Sequence, residues 1–509
     1  MTASTVPLMP VPVPRRALGL DALRGIAILL MVLSGIEPPG LPAWMHHAQV
    51  PPPDFQFNPN LPGLTWVDLV FPFFLFALGA AVPLALARRM EKGVGRWRLA
   101  LGCLERGVLL GFFAVYRNHF VNPWALSVEP GRGDYLLCIV AFVLLFAMYW
   151  RFPSRWPAGL CWGVRLGGWA AALGLMAALT FAHGHHADPR LSSDIIIIIL
   201  ANVAVSAGVV WLLTAARPVW RLGVLPLLFA VNLSAGEQSP SWIKTFWTWQ
   251  PVLPWPGAPE GFGLSWLFGF GFQNYLHIVI PGTLAGDLIL RWMRAGRDEQ
   301  GAAGGWGAGR LWGLLGLAVV LCVTVCAGLQ GRHLSGASLA AAALTAAGLV
   351  LVRSPRGSSE RLLHELCLWA AFWLALGLLF EPYQGGIKKD PPTMSYFYVT
   401  AGLATFLLAG LMGVIDMLGR LRPFQLLVDN GQNPMIAYVG HGMFLLPLML
   451  LIPVPAFLRP EGGTGSLLDW VRYIDYAGPW WGFGRACVEM LVLALIVSAF
   501  TRRGVFWRT

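Results

Sequence analysis

The chain has 509 residues, of which 56% are hydrophobic and only 12% are charged, and its formal net charge is +11. Soluble globular domains carry about 25% charged residues, so this composition excludes a protein that faces water over most of its surface. It also gives no support for nucleic acid as a partner, because the basic residues cluster in short loops between long apolar segments. We therefore expect one all-α membrane domain over 1–509, embedded in a lipid bilayer.

Apolar segments long enough to cross a bilayer as a helix recur along the whole chain, and we count about fourteen, with a range of about 11 to 14. The weakest is 220–235, which is short and contains Pro226 and Asn232. The predicted spans lie at 18–36, 66–87, 99–116, 134–150, 158–182, 194–215, 220–235, 268–293, 308–329, 335–352, 362–380, 395–418, 431–455 and 482–501. This pattern predicts a polytopic transmembrane helix bundle.

Basic residues predict the orientation of the spans, because loops rich in Lys and Arg stay on the cytoplasmic side. Arg15 and Arg16 precede the first span, and a basic cluster follows the second span over 88–98. The tail 1–17 is then cytoplasmic and the loop 37–65 is outside. The last basic residues fall inside by the same alternation: Arg502, Arg503 and Arg508. Both termini are therefore predicted to be cytoplasmic, in a multi-pass protein of the cytoplasmic (inner) membrane.

The other loops predicted outside differ in composition. Loop 183–193 holds His185, His186 and Asp188 without the spacing of a further ligand, so no metal site is predicted. Five tryptophans in loop 236–267 suit either anchoring at the bilayer interface or stacking against a sugar ring. The seven cysteines form no CxxC pair, which favours buried free thiols over a zinc site or a disulfide framework.

Two histidines precede the second span, in a loop rich in proline and aromatic residues. His46 and His47 titrate near neutrality, so either can accept a proton from a nucleophile or carry an acyl group. Asp68 lies three residues after Thr65 at the start of the span, which fits an N-terminal capping box or a carboxylate that orients a histidine. The residues alone leave a structural role open for each of them.

Further polar residues lie inside or beside the spans. Asp21 and Arg24 are three residues apart on one helix face, which favours an ion pair in the first span. Asn433, Tyr438 and His441 open a late span, where each polar group needs a partner or a cavity. Interhelical hydrogen bonding and a substrate path are both open for this second group.

Several motifs occur in a fixed order near the two ends of the chain. They are LDALRGIAILLMV at 20–32, His47-Ala48, GLTWVDLVFPFF at 63–74, NPMIAYVGH at 433–441 and RRGVFWR at 502–508. Together they resemble the heparan-α-glucosaminide N-acetyltransferase-like family of the transmembrane acyltransferase superfamily, most of all an uncharacterised bacterial branch. The resemblance covers the motif helices at 18–150 and 362–509, with 194–352 between them as variable or added spans.

The resemblance implies an enzyme that moves an acetyl group from cytosolic acetyl-CoA to an amino sugar or glycan on the far side of the membrane. It implies His47 as the base or transient acyl carrier, with Asp68 orienting the loop and His46 beside it. Residues that would bind acetyl-CoA or the carbohydrate acceptor are Asp21, Arg24, Asn433, Tyr438, His441, Lys388 and Lys389. No metal is implied, and a homodimer is compatible with the pattern.

Departures from the family's pattern keep other functions open. Ser34-Gly35 replaces an asparagine at the outer end of the first motif helix, and GDYLLCIV at 133–140 replaces a Gly-Val-Leu-Gln-Arg segment. A transporter for a sugar or sugar derivative would show similar spans, a Trp-rich outer loop and few charges. A structural membrane protein with an inactive site is the third alternative. Binding of CoA to the purified protein would separate the enzyme from the transporter.

Overall fold

A computed structural model of the protein describes residues 16–236, 241–255, 258–264, 266–295, 305–455, 457 and 465–507. Arg508 and most of the predicted tail 1–17, including Arg15, lie outside the described residues. Within the described ranges the fold is helical apart from one short hairpin, which confirms the predicted all-α class.

The helices follow the predicted apolar segments. In chain order they are α1 (Leu18–Ser34), α2 (Trp66–Glu91), α3 (Arg96–His119), α4 (Pro123–Leu126), α5 (Arg132–Tyr149), α6 (Ala158–Ala178), α7 (Ile195–Thr214), α8 (Pro218–Leu222), α9 (Val224–Gly236), α10 (Trp242–Trp247), α11 (Leu276–Arg294), α12 (Ala308–Gln330), α13 (Leu334–Leu351), α14 (Ser358–Leu379), α15 (Met394–Met412), α16 (Gln425–Gln432), α17 (Pro434–Gly440), α18 (Leu446–Leu451), α19 (Leu467–Arg472) and α20 (Pro479–Arg502). A π-helical turn, Gly413–Met417, extends α15, and another, His441–Leu445, joins α17 to α18. Strands β1 (Val252–Trp255) and β2 (Ala258–Gly263) pair antiparallel before α11.

Twelve helical segments in the described ranges are long and apolar enough to cross a membrane, and they coincide with predicted spans. The other two predicted spans are also helical. Helix α1 has only 17 residues, and α11 carries Asp287 and Arg291 in its second half. Both helices are largely buried and pack against α2 and α15. The protein is therefore a multi-pass helix bundle.

Helix α15 is the centre of the bundle. Every residue of Met394–Met412 is buried, and α1, α2, α11, α12 and α14 pack around it. A helix that is apolar on all sides belongs in the interior, where it meets neighbours in every direction. Helices α6, α9 and α13 instead leave most of their apolar side chains at least partly exposed, as expected of helices at a lipid-facing edge.

Close contacts at glycine hold the central helices together. Gly79 of α2 and Gly282 of α11 each face a backbone carbonyl of the other helix, with no room for a Cβ atom. Gly25 of α1 faces the carbonyl of Leu427 in α16 in the same way. Small residues allow this approach where the bilayer supplies no hydrophobic force between helices.

The first helix begins without a capping side chain of its own. The amides of Leu18 and Gly19 donate instead to the carboxylate of Asp416, each at 2.8 Å. A carboxylate at a helix N-terminus satisfies unpaired amides and interacts favourably with the helix dipole. Asp416 therefore fixes the start of α1 against the end of α15.

Loops that the charge pattern places outside meet at one end of the bundle. Gln49 of loop 37–65 bonds to Asp390 of the loop before α15, and Arg332 after α12 pairs with Glu381 after α14 at 2.6 Å. Because these elements are distant in sequence, their common position supports the predicted alternation of the spans. The orientation of this end relative to the cytoplasm stays a prediction.

Candidate active site

The loop 37–65 delivers its polar residues to the first turn of α2. Asp68 in that turn is fully buried. Its Oδ2 accepts the Thr65 amide at 3.0 Å and the Ala48 amide at 3.1 Å, and the Thr65 hydroxyl lies 3.1 Å away. The capping interaction predicted for Asp68 is therefore formed by one of its two carboxylate oxygens.

The other oxygen, Asp68 Oδ1, faces two basic side chains. His47 Nε2 lies 3.4 Å from it and Lys389 Nζ lies 3.7 Å from it. The alternative predicted for Asp68, a carboxylate beside a histidine, is formed by this oxygen. Lys389 comes from the loop before α15, so the fold brings together one residue of the first outside loop, one from the first turn of α2 and one from late in the chain.

A further contact of Asp68, made by its backbone carbonyl, depends on a proline. Pro72 has no amide hydrogen, so the Asp68 carbonyl cannot accept the usual helical bond from it. The Tyr396 hydroxyl of α15 donates to this carbonyl instead, at 3.0 Å. A proline inside α2 thus couples the site to the central helix.

The contacts of His47 assign its tautomer. Its Nδ1 accepts the backbone amide of Gln49 at 3.0 Å, so Nδ1 holds the lone pair and Nε2 holds the proton that faces Asp68. A carboxylate in this position orients the ring and stabilises the imidazolium that forms when the ring accepts a proton.

Several groups act on the charge state of His47. Burial lowers its pKa below the ordinary value of 6.5; Asp68 opposes this shift, Lys389 adds to it and Asp390 opposes it. The ring is therefore neutral at physiological pH. A neutral ring is the form that a general base or an acyl carrier needs.

Gln49 is a site residue that the sequence reasoning missed. Its side chain is fully buried, and Oε1 accepts the amides of Lys389 and Asp390 at 3.2 and 2.8 Å. Its Nε2 donates to the carbonyls of Asp390 and Pro59. Gln49 thus ties the histidine loop to the lysine loop. One polar residue in a proline-rich loop carries no sequence signal for such a role.

His46 belongs to a different pair. Its Nδ1 lies 3.0 Å from Glu37 Oε1, and its ring meets Phe55 edge-on. Burial raises the pKa of Glu37 to about 7 and lowers the pKa of His46. The His46 carbonyl accepts the Thr65 hydroxyl at 2.8 Å. Of the two predicted histidines, His47 is therefore the one in contact with Asp68.

Tyr438 has partners on α3 and α7. Its hydroxyl donates to Asp194 Oδ2 at 2.7 Å, and Arg117 pairs with the same oxygen at 2.9 Å while lying over the Tyr438 ring. The other oxygen of Asp194 accepts the amides of Ile196 and Ile197 at the start of α7. The contacts of Tyr438 and Arg117 with Asp194 thus join α17 and α3 to the start of α7.

His441 is on the same predicted face as Tyr438 but joins another network. Its Nε2 lies 2.9 Å from Glu489 Oε2, and Arg485 donates to Glu489 Oε1 at 2.6 Å. Arg485 also pairs with Asp475 at 2.8 Å. Interhelical bonding, the structural alternative for the second group, therefore accounts for the contacts of both Tyr438 and His441.

Asn433 fastens the C-terminal segment. Its Nδ2 donates to the Val505 carbonyl at 2.7 Å, and its Oδ1 accepts the Trp507 amide at 3.3 Å. Both ends of the amide are thus used within the protein. A role in binding a substrate stays a prediction for Asn433.

The predicted ion pair in the first span is present. Arg24 lies 3.3 Å from Asp21, which also pairs with Arg16 at 2.6 Å. Arg24 donates in addition to the Gly431 carbonyl of α16 at 3.2 Å. This largely buried arginine joins α1 to α16, at the end of the bundle opposite His47.

The remaining predicted residues lie apart from the Asp68 carboxylate. The Lys388 amide donates to Thr393 Oγ1 at 3.1 Å, whereas the side chain of Lys389 reaches Asp68.

In the loop 183–193, Asp188 pairs with Arg190 at 2.7 Å. Over the part of the chain that the structure describes, no group of three or more His, Cys, Asp or Glu is arranged to hold a metal ion.

Comparison with known proteins gives a family for this fold and site. Residues 16–289, more than half of the chain, match the profile of a domain of unknown function, DUF5009. The chain belongs to the DUF5009 family. Human heparan-alpha-glucosaminide N-acetyltransferase is 31% identical over 144 residues, which are 26% of this chain and 20% of the human protein. The chain thus matches about a fifth of the human relative's length.

The DUF5009 match contains only part of the site. His47, Gln49 and Asp68 lie within 16–289, whereas Lys389 lies beyond it. The candidate site of this chain therefore includes a residue from outside the matched region.

Proposed function

We propose that this protein is a membrane acyltransferase that moves an acetyl group from acetyl-CoA to an amine or hydroxyl group of a sugar. The observation that carries the proposal is the contact of His47 with the buried carboxylate of Asp68, beside Lys389. The name of the distant human relative, an N-acetyltransferase of a glucosaminide, supports acetyl transfer and a sugar acceptor. The acceptor would react on the side of the membrane where His47 lies.

In the proposed reaction, His47 Nδ1 takes the proton of the acceptor as the acceptor nitrogen or oxygen attacks the thioester carbonyl carbon. The carbon–sulfur bond then breaks, and the CoA thiolate takes the proton from the imidazolium. Asp68 stabilises the imidazolium, and Lys389 stabilises the negative charge on the tetrahedral intermediate. Alternatively, the acetyl group rests on His47 Nδ1 between the two half-reactions.

We propose that the nucleotide part of CoA binds at the opposite end of the bundle. A cavity of about 560 Å³ lies there between the C-terminal ends of α2, α7 and α11. Arg291 and Arg294, which pair with Glu365 and Glu91, line it together with Trp211 and Trp369. Arginine suits phosphate groups and an indole ring suits a purine. The basic loops predict that this end is cytoplasmic, the side on which the proposal requires acetyl-CoA.

Turnover of acetyl-CoA by the protein in lipid nanodiscs, with a panel of amino sugars, tests the proposal. A general base contributes about 10²–10⁴-fold, so His47→Ala should lower kcat by this factor. His46→Ala is the matched control, because His46 pairs with Glu37 instead of Asp68, and it should keep most of the turnover. Wild-type kcat in His47→Ala would show the proposal to be wrong, and sugar movement without release of CoA would indicate the transporter.

A further inference from the structure

An apolar groove lies beside the candidate active site, between the start of α2 and the last part of α12. Its volume is about 420 Å³. Its lining residues include Trp44, Leu64, Thr65, Leu69, Val323 and Ala327. Along α12 the groove extends from Cys322 to Gln330, which is about 12 Å of helix axis.

The groove is continuous with the lipid-facing surface of α12. Val323, on the groove, is 62% exposed, and the neighbouring Val319 and Val320 on the same helix are about half exposed. These valines lie within a span, so the medium that covers them is the acyl region of the bilayer. A chain in the membrane can therefore enter the groove sideways without crossing water.

The same groove ends at the first turn of α2, which carries Asp68. Thr65 lines it, and the Thr65 hydroxyl lies 3.1 Å from Asp68 Oδ2. Leu69, the next residue after Asp68, forms part of the wall. A molecule that fills the groove therefore contacts Thr65, whose hydroxyl contacts the carboxylate of Asp68.

Two residues of the groove wall each carry a buried side-chain polar atom with no hydrogen-bond partner in the described part of the protein. The two atoms are the Gln330 side-chain oxygen and the Trp66 indole nitrogen. One is an acceptor and the other is a donor, a combination that a hydroxyl group satisfies. Unsatisfied buried polar groups cost free energy, which a ligand with hydroxyl groups would recover once the Gln330 and Trp66 side chains turn toward the groove.

We propose that the acceptor is membrane-anchored, with its hydrocarbon tail in the groove of α2 and α12 and its sugar headgroup at His47. This inference rests on the proposed function and names its acceptor class, an amphiphilic glycoside of the bilayer. The headgroup hydroxyls meet Gln330 and Trp66 on the way to the site. The tail gains no hydrophobic free energy by leaving the bilayer for the groove. Its contribution is to orient the headgroup and to raise its effective concentration at His47.

Dodecyl glucosaminide and methyl glucosaminide are the two acceptor probes, because they share a headgroup and differ in the tail. In nanodiscs, wild-type protein should show a KM lower by about tenfold or more for the dodecyl probe, through its higher effective concentration. Val323→Trp fills the groove and should remove most of this difference while leaving transfer to the methyl probe unchanged. Val320→Trp is the matched control, an exposed valine of α12 outside the groove lining.

A crosslinking measurement separates this inference from the proposed function. A dodecyl glucosaminide with a photoreactive group at the end of its tail should label the segment 322–330 in wild-type protein and in His47→Ala, which lacks turnover. Labelling should be lost in Val323→Trp and retained in Val320→Trp. Equal labelling in both valine variants, or equal KM values for the two probes, would overturn the groove assignment. Labelling without turnover in wild type would overturn the proposed function alone.

Discussion

The site around Asp68 and the charged network around Glu489 are both buried in one bundle, yet they differ in how completely their polar groups are paired. Glu489 uses both oxygens, one with His441 and one with Arg485. Asp68 uses Oδ2 for two amides and leaves Oδ1 toward His47 and Lys389, at 3.4 and 3.7 Å. A saturated network stabilises a fold, whereas a carboxylate kept beside a titratable ring is available for chemistry.

The largest expected effect is the loss of activity in Asp68→Asn. The asparagine oxygen can still accept the Ala48 and Thr65 amides, so the start of α2 should fold. Its amide nitrogen would face the Nε2 proton of His47, which favours the wrong tautomer, and kcat should fall by about 10²–10⁴-fold. Steady-state kinetics measures the loss of kcat, and an unfolding curve shows whether the variant is folded. A wild-type kcat in Asp68→Asn would show that Asp68 takes no part in the mechanism.

Arg485→Met should reverse this pattern, with a large effect on stability and a small one on activity. Removing one partner of a buried ion pair costs about 3–5 kcal/mol, because the remaining charge of Glu489 loses its compensation. The double variant Arg485→Met with Glu489→Gln should recover most of the loss. Thermal unfolding and kcat per folded molecule are the measurements. A fall in kcat at unchanged stability would place the network in catalysis.

Gln49→Ala should lower kcat/KM by an intermediate factor, because Gln49 only positions the reacting residues. It removes the hydrogen bonds that join the histidine loop to the lysine loop, each worth about 0.5–1.5 kcal/mol. We expect a decrease in kcat/KM of about tenfold, since the ring and Lys389 lose their fixed separation. Gln56→Ala, an exposed glutamine of the same loop, is the control. Equal kinetics in the two variants would contradict this role.

The smallest expected effect is a shift of the pH profile. The neutral form of His47 is the active one and its pKa is lowered, so kcat/KM should fall as the pH drops through a value below 6.5. Lys389→Met removes a charge that lowers this pKa, so the acid limb should move to higher pH. Asp390→Asn removes a charge that raises it, so the limb should move to lower pH. Shifts of about one pH unit or less are expected, and shifts of the same sign would exclude His47 as the titrating group.

The sequence predicted the fold more fully than the site. Long apolar segments form helices in a bilayer because every backbone group must be satisfied within the segment, so the spans are readable from composition. The Thr65–Asp68 cap and the Asp21–Arg24 pair depend on residues three apart, and both were predictable for that reason. The common helix face predicted for Tyr438 and His441 stays a prediction, and their partners differ.

The sequence did not predict the partners of Tyr438 and His441. Tyr438 bonds to Asp194 and His441 to Glu489, although they are three residues apart, because different helices pack on the two sides of α17 and its π-helical turn. The choice between His46 and His47 depends on which ring the loop turns toward α2. Here His46 turns to Glu37 and His47 to Asp68.

By itself the sequence determined a helical membrane protein, its spans, its local caps and the candidate histidine loop, because all of these follow from apolar length and from contacts a few residues apart. Only the tertiary structure decided that Lys389 and Gln49 complete the surroundings of His47, and that an apolar groove of α12 opens beside Asp68. Such contacts join segments hundreds of residues apart. Their formation depends on how the helices pack around α15, which no local pattern of residues encodes.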